Sequence, residues 1–327
     1  MLIDTFNRVH DYLRISLTDS CNLRCFYCMP DEKTASLPNR HLMQPDEIDH
    51  IARLFVELGV KKIRLTGGEP LVRKEAGAII RKLGTYPVEL TMTTNGVRLS
   101  EFADDLLAAG MRSINISLDT LEADKFLMLT KRDNFSKVYG NIMLMAEKGL
   151  RVKVNVVAMK GVNDREIASF IALTKDLPLH IRFIEFMPFT GNHWDHAKVI
   201  GWQEILDIIR QDYAFEPITR KKHDTAKNYQ VAGHAGTFAV ISTMTAPFCG
   251  DCNRMRLTAD GKMKNCLFSK TETDLLGALR RGEDIEPLIR ACVLAKAAER
   301  GGQFTDNDYT HTDPLSIENR SMITIGG

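Results

Sequence analysis

The chain predicts an α/β fold, a partial (β/α)6 TIM-like barrel with a smaller C-terminal domain carrying a second cysteine cluster. Three observations carry that expectation. From the start to about residue 190, short β-rich runs alternate with helix-like segments. Within the strand candidates, apolar and polar side chains alternate residue by residue. Six of the seven cysteines fall into two trios, one early and one late.

The strand candidates are residues 12–17, 61–65, 89–93, 113–118, 152–157 and 181–186. Between the first two, Ile48, Ile51, Phe55 and Leu58 recur at helical spacing, with Pro45 just inside the start and Gly59 closing the turn. Gly84, Gly110 and Gly149 close later helices in the same way. Repeated strand–helix units imply parallel strands, because antiparallel neighbours would be joined by short hairpins. A barrel or partial barrel is favoured over a doubly wound sheet, although periodicity alone does not separate the two.

Side-chain parity says more. Arg14 and Ser16 oppose Leu13, Ile15 and Leu17, and Arg64 and Thr66 oppose Ile63 and Leu65. Thr91 and Thr93, then Asn115 and Ser117, then Lys153 and Asn155 repeat the pattern on the next three strands. A packed eight-stranded barrel fills its interior with branched apolar residues. Here a polar face with three cations calls for a wet lumen, its apolar back turned to the helices. Such a lumen suits a large, polar, anionic substrate.

After residue 190 the character changes. Residues 201–212 read as one more helix, 220–223 as a short basic stretch and 236–243 as another strand. The expected division is 1–217 for the barrel and 218–327 for the smaller domain. The formal net charge of +1 offers no global attraction to nucleic acid or to an anionic membrane. Asp4, Arg8 and Asp11 interrupt any signal-peptide core, and no long apolar run suggests a membrane span. Clustered cysteines fit metal binding in a reducing cytoplasm better than a disulfide framework. Cys292 stands alone in a helical stretch and reads as a small core residue.

The first trio, Cys21, Cys25 and Cys28, is spaced C-x3-C-x2-C in the loop after the first strand, where parallel α/β folds place their chemistry. Cys249, Cys252 and Cys266 form the second, C-x2-C-x13-C. Zinc sites favour paired C-x2-C or a histidine partner, and the first trio offers neither. Three thiolates can cap three corners of a cubane iron–sulfur cluster and leave one iron open, which an amino acid's amine and carboxylate could chelate. Gly67-Gly68-Glu69-Pro70 follows the second strand; its glycines allow close backbone approach to a ligand, and Glu69 can accept from an ammonium group.

These motifs together resemble the radical S-adenosylmethionine superfamily. More narrowly, the chain is similar to the MoaA family, the GTP 3′,8-cyclases of molybdenum cofactor biosynthesis. That match runs through Tyr12-Leu-Arg-Ile-Ser-Leu-Thr-Asp19, Cys28-Met-Pro30, Thr93-Thr-Asn-Gly96, Ser117-Leu-Asp119, Cys249 to Gly261, Cys266 and the terminal Gly326-Gly327. The resemblance implies two [4Fe–4S] clusters, one on each trio, the first chelating S-adenosyl-L-methionine. It implies S-adenosylmethionine contacts at Tyr27, Gly68, Glu69, Ser117 and Met187, and GTP contacts at Arg14, Arg64, Thr93, Lys153, Arg254 and Arg256. It further implies catalytic roles for Arg254, Arg256 and the Gly326-Gly327 tail, which would reach into the active site. A 5′-deoxyadenosyl radical would take hydrogen from ribose carbon 3′, and that carbon would attack carbon 8 of the purine. An unidentified low-potential electron donor, a homodimer and a following enzyme of the molybdopterin pathway complete the set that the family suggests. Asn7-Arg8 stands where Gly-Arg is usual, and Ser20 where Arg is common; neither is a cluster ligand.

Two other readings of the residues stand beside this one. A different radical enzyme with an auxiliary cluster could modify a peptide, although three late cysteines and an arginine pair argue against it. A non-catalytic metal carrier would form no deoxyadenosine after anaerobic reduction. A terminal Gly-Gly also ends sulfur-carrier proteins, but those are small β-grasp domains.

Overall fold

Strands with one apolar face must bury it, and here helices cover it. The computed structural model describes residues 1–29, 36–304, 309–311, 313 and 316–326. In it β1 (Tyr12–Ser16), β2 (Lys62–Thr66), β3 (Glu89–Thr94), β4 (Ser113–Ser117), β5 (Arg151–Ala158) and β6 (His180–Glu185) pair in parallel in chain order. Each lies within one residue of its expected bounds. Between them run α1 (Pro45–Glu57), α2 (Ala76–Leu83), α3 (Leu99–Ala108), α4 (Ala123–Thr130), α5 (Phe135–Glu147) and α6 (Ile167–Ala172). Ile48, Ile51 and Phe55 of α1 and their counterparts on later helices pack on Leu13, Ile15, Ile63, Ile114 and Val154 of the sheet. The apolar face therefore meets the helices, and the polar face turns inward.

α1 shows how local chemistry sets an element. Gln44 caps its start in a reciprocal box with Glu47, and Pro45 occupies the first turn. It ends at Leu58, and Gly59 takes the left-handed conformation, φ 100°, that favours glycine.

The later residues extend the same sheet at both edges. α7 (Trp202–Arg210) leads to β7 (Phe215–Pro217), β8 (Lys227–Val231) and β9 (Thr237–Ile241). Of these, β9 pairs in parallel with β6. The chain then returns to the opposite edge, where β10 (Arg254–Leu257) pairs in parallel with β1. β11 (Lys262–Lys264) and β12 (Thr273–Asp274) follow antiparallel. α8 (Leu275–Arg280), α9 (Glu286–Leu294) and α10 (Met322–Ile325) complete the elements used below. The order β12-β11-β10-β1-β2-β3-β4-β5-β6-β9-β8-β7 leaves the sheet open, a partial barrel.

The expected boundary at 217/218 crosses this sheet without interrupting it. Met255, Leu257, Met263 and Leu275 join the one large apolar core, and the later residues wrap the barrel. Sequence reading missed this because a strand's partner is not written in its own residues. No helix among the described residues is long and apolar enough to cross a membrane.

The β6–β9 junction is tight. A Cβ added at Gly236 would lie 2.2 Å from the Leu179 carbonyl oxygen, whereas one at Gly140, inside α5, would meet nothing within 4 Å. Gly236→Ala should therefore cost at least about 1–3 kcal/mol from overpacking. Gly140→Ala should stabilise by up to about 1 kcal/mol through helix propensity. Urea unfolding of the two variants checks both signs.

Candidate functional site

The loop leaving β1 brings the first trio into a cleft at the C-terminal ends of the strands. The cleft, about 1040 Å³ including its open mouth, is lined by Cys21, Cys25, Cys28, Tyr27, Gly68, Thr93, Ser117 and Met187, all singled out from sequence. Cys28 N and Met29 N both donate to the Cys25 carbonyl, at 3.0 and 2.8 Å, which curls the loop. The Cys21 sulfur accepts from Leu23 N at 3.4 Å and from Asn95 Nδ2 at 3.7 Å. Burial pushes the Cys21 thiol up to about 11 and Cys28 to about 12, and holds Cys25 well above its usual value. Neighbouring thiols and the Asp119 carboxylate oppose ionisation further at Cys25 and Cys28. Free, these are neutral thiols; a bound cation would convert them to thiolates.

Gly68 seats the adjacent loop. Its N donates to the Thr18 carbonyl at 2.7 Å, and a Cβ there would lie 2.4 Å from the Ser20 carbonyl oxygen. Glu69 behaves differently. It is buried, and its carboxylate accepts from Leu71 N, Thr94 Oγ1 and Asn95 N at 3.0, 2.7 and 2.6 Å. Burial raises it to about 7 despite those bonds. The structure does not bring this side chain into the cleft; it ties the β2 and β3 loops together.

Deeper in the barrel the strand register assembles the cations. Arg14 sits between Arg256 on β10 and Arg64 on β2, with neighbouring strands about 4.8 Å apart. Arg64 donates to the Tyr12 hydroxyl, to the Met92 carbonyl at 3.1 Å and to Thr93 Oγ1 at 3.3 Å. Lys153 stands next to Asn115 on one side and His180 on the other. Burial and like charge destabilise three of these cations. Arg14 falls well below its usual value, Arg256 to about 10 and Lys153 to about 8. An anion in such a lumen would offset the cost of burying these charges.

The second trio lies at the other end of the same strand pair. Cys249 and Cys252 immediately precede β10, and Cys266 follows β11, which runs antiparallel to it. β1 and β10 are parallel, so the first trio follows their C-terminal ends and the second flanks the N-terminal end. Arg254 Nη2 approaches the Cys252 sulfur at 3.3 Å. Burial would raise Cys252, but Arg254 and Lys296 outweigh it and bring the thiol down to about 6. Arg8 Nη1 donates to the Cys249 carbonyl at 3.0 Å.

Among the described residues no three Cys, His, Asp or Glu side chains converge closely enough to ligate a single ion. Thiols capping corners of a cube stand farther apart than ligands of one ion. Three soft donors on each side, with no histidine completing the set, fit iron–sulfur clusters.

The chain's end enters the lumen from the side. Ile323 and Ile325 of α10 are buried, the latter against Phe189 and Phe268. The Gly326 carbonyl accepts from Arg256 Nη1, and a Cβ at Gly326 would lie 2.7 Å from Thr66 Oγ1. Gly327 and Pro30 lie outside the described residues.

Sequence reading missed Arg182, Tyr12, Asp119 and Lys296. Arg182 continues the polar face onto β6 and donates to Asn155 Oδ1 at 3.0 Å; carrying the parity argument one strand further would have found it. Tyr12 precedes Arg14 on the same face. Asp119 lies inside a quoted motif, where it accepts from Tyr27 Oη at 2.5 Å and Val157 N at 2.8 Å. No local signal marks Lys296.

Residues 15–174 match the family model described as the radical SAM superfamily, and 179–303 match Molybdenum Cofactor Synthesis C. The chain is 45% identical over 334 residues to the mitochondrial GTP 3′,8-cyclase of Arabidopsis thaliana, covering 100% of this chain and 84% of that one. Against the GTP 3′,8-cyclase of Peptoclostridium acidaminophilum identity is 42% over 323 residues, 97% of this chain and 98% of that one. It is 44% identical over 332 residues to molybdenum cofactor biosynthesis protein 1 of Mus musculus, covering 99% of this chain but 51% of that protein. This chain thus spans about half the length of several animal relatives. Among solved structures, Streptococcus suis SuiB bound to S-adenosylmethionine matches with a TM-score of 0.58 at 16% identity, over 95% of this chain and 72% of that one. That likeness speaks to fold alone.

Cys252 differs in charge environment from the thiols of the first trio, and alkylation can read the difference. In metal-free chain, iodoacetamide should label Cys252 with a midpoint near pH 6, where its depressed thiol ionises. Cys21 and Cys28 should stay unreactive until the pH nears about 11 and about 12. Peptide mass mapping across pH checks the order.

Proposed function

The chain belongs to the GTP 3′,8-cyclase family of radical S-adenosylmethionine proteins, and we propose that it converts GTP to (8S)-3′,8-cyclo-7,8-dihydroguanosine 5′-triphosphate, the first step of molybdenum cofactor biosynthesis. The observation that carries this reading is the pair of cysteine trios at opposite ends of β1 and β10, with a stack of buried cations between them. When bound, two [4Fe–4S] clusters and S-adenosylmethionine supply the 5′-deoxyadenosyl radical and the electrons for closing ribose carbon 3′ onto purine carbon 8.

Cys21, Cys25 and Cys28 would hold the first cluster, with Tyr27, Gly68, Ser117 and Met187 forming the walls against S-adenosylmethionine. Asp119 fixes the Tyr27 ring by its hydroxyl. Cys249, Cys252 and Cys266 would hold the second, close to the guanine. Arg14, Arg64, Lys153 and Arg182 give the triphosphate the bidentate and point-charge partners it needs. Thr93 and Asn155 orient two of those cations. Arg254 and Arg256 would then fix the nucleoside so that one hydrogen is within reach, and Gly326 closes the lumen beside them. Orientation and exclusion of water are the protein's contribution, because a free primary radical attacks any nearby C–H. In this reading the division near residue 217 is one of role, with the second trio supplied by the later part. A low-potential electron donor, a homodimer, a reducing cytoplasmic setting and delivery of product to the next molybdopterin enzyme belong to the same reading.

Anaerobic reconstitution tests it. About eight irons per chain are expected for two four-iron clusters. With GTP and S-adenosylmethionine, mass spectrometry should show the cyclised triphosphate. Product from added peptides and none from GTP would sink the assignment.

Arg254→Ala or Arg256→Ala should retain S-adenosylmethionine cleavage and lose cyclisation by about 100-fold or more, since misplacement alone can cost that much. Deoxyadenosine and cyclic product measured in the same reaction separate the two. Arg182→Ala should instead raise KM for GTP about tenfold or more, as expected for loss of a charged hydrogen bond worth about 1.5–3 kcal/mol. An unchanged KM would remove Arg182 from the phosphate site.

A further inference from the structure

Lys296, two residues past the end of α9, is only 4% exposed. A buried ammonium needs acceptors in place of water. Its Nζ donates to the Asn265 carbonyl at 2.5 Å and the Arg254 carbonyl at 2.8 Å, and approaches the Cys252 sulfur at 3.7 Å. Its acceptors are thus two carbonyls and a sulfur, not a carboxylate. Asn265 directly precedes Cys266, and Arg254 lies two residues after Cys252. Lys296 thus fastens both arms of the second trio and holds a second charge against the Cys252 sulfur, which Arg254 Nη2 already approaches at 3.3 Å.

The first trio has different surroundings, with Arg24 beside Cys21 but, among the described residues, no cation at the sulfurs of Cys25 and Cys28. Its cleft carries the Asp119 carboxylate, and Glu69 lies just behind. Charge and hydrogen bonds at the sulfurs are among the levers that set an iron–sulfur potential. A nearby cation favours the state with one more electron.

We propose that Lys296 sets the reduction potential of the second cysteine site, its fixed positive charge raising that potential through the Cys252 sulfur. The proposal rests on the reading that Cys249, Cys252 and Cys266 hold a cluster. Lys296 touches neither of the proposed reactants; it acts through a ligand.

The test is a potentiometric titration followed by electron paramagnetic resonance, on reconstituted full-length wild type, Lys296→Met and Lys296→Arg. The signal altered by S-adenosylmethionine identifies the first site. In Lys296→Met with both clusters present, the second site should become harder to reduce by about tenfold in equilibrium, about 59 mV for one electron. The first site should stay in place, and Lys296→Arg should track wild type. Loss of the second cluster in Lys296→Met with retention and an unchanged potential in Lys296→Arg assigns the charge to holding the site together and overturns the proposal. Full iron content with an unchanged second potential overturns the proposal, as does an equal shift at both sites or loss of the cluster in both variants. Wild type with only about four irons overturns the two-cluster reading itself, and the proposal with it.

Discussion

The parallel pairing of β1 with β10 is the contact on which the rest of the site depends. It sets Tyr12 beside Arg254 and Arg14 beside Arg256. Because the two strands run the same way, the loop leaving β1 and the loop entering β10 must lie at opposite ends of the barrel. The placement of the two cysteine trios at opposite ends of one strand pair is thus a consequence of strand direction. Asn253 Nδ2 reinforces the seam by donating to Asp11 Oδ1 at 2.6 Å.

The same seam accounts for the energetics of the lumen. Arg14, Arg64 and Arg256 are neighbours in one row of the sheet, the last two buried and Arg14 half-buried, so that little water screens them. In the protein alone, the Tyr12 hydroxyl, backbone carbonyls and the Gly326 carbonyl take up part of this excess. Tyr12 responds in turn: burial would raise its phenol, but Arg64 and Arg14 draw it down to about 7. An anion bound among these cations would relieve their mutual repulsion and stabilise the fold as it did so.

Much of this was legible in the sequence where the signal is local. The six barrel strands announced themselves by alternation, and the same alternation placed Arg14, Arg64, Thr93 and Lys153 on the inner face. Cysteine spacing marked both trios. The features that stayed hidden depend on contacts between distant segments. Nothing in 254–257 says that it will lie against 12–15, so the late strands read as a separate domain. Lys296 reads as one more surface lysine until the fold carries it to Cys252. Glu69 shows how a motif leaves contacts unwritten: its carboxylate accepts from Leu71, Thr94 and Asn95, partners that the motif itself does not name.

The seam also governs how the chain reaches this state. Asp11 and Asn253 are 242 residues apart, and closing so long a loop is entropically late. Until then β1 presents a bare edge, an invitation to intermolecular pairing. The six clustered cysteine thiols meanwhile stand uncovered, open to oxidation and mispairing. The window in which these thiols are open to oxidation is therefore set by the topology, and it closes only when the late edge strand pairs.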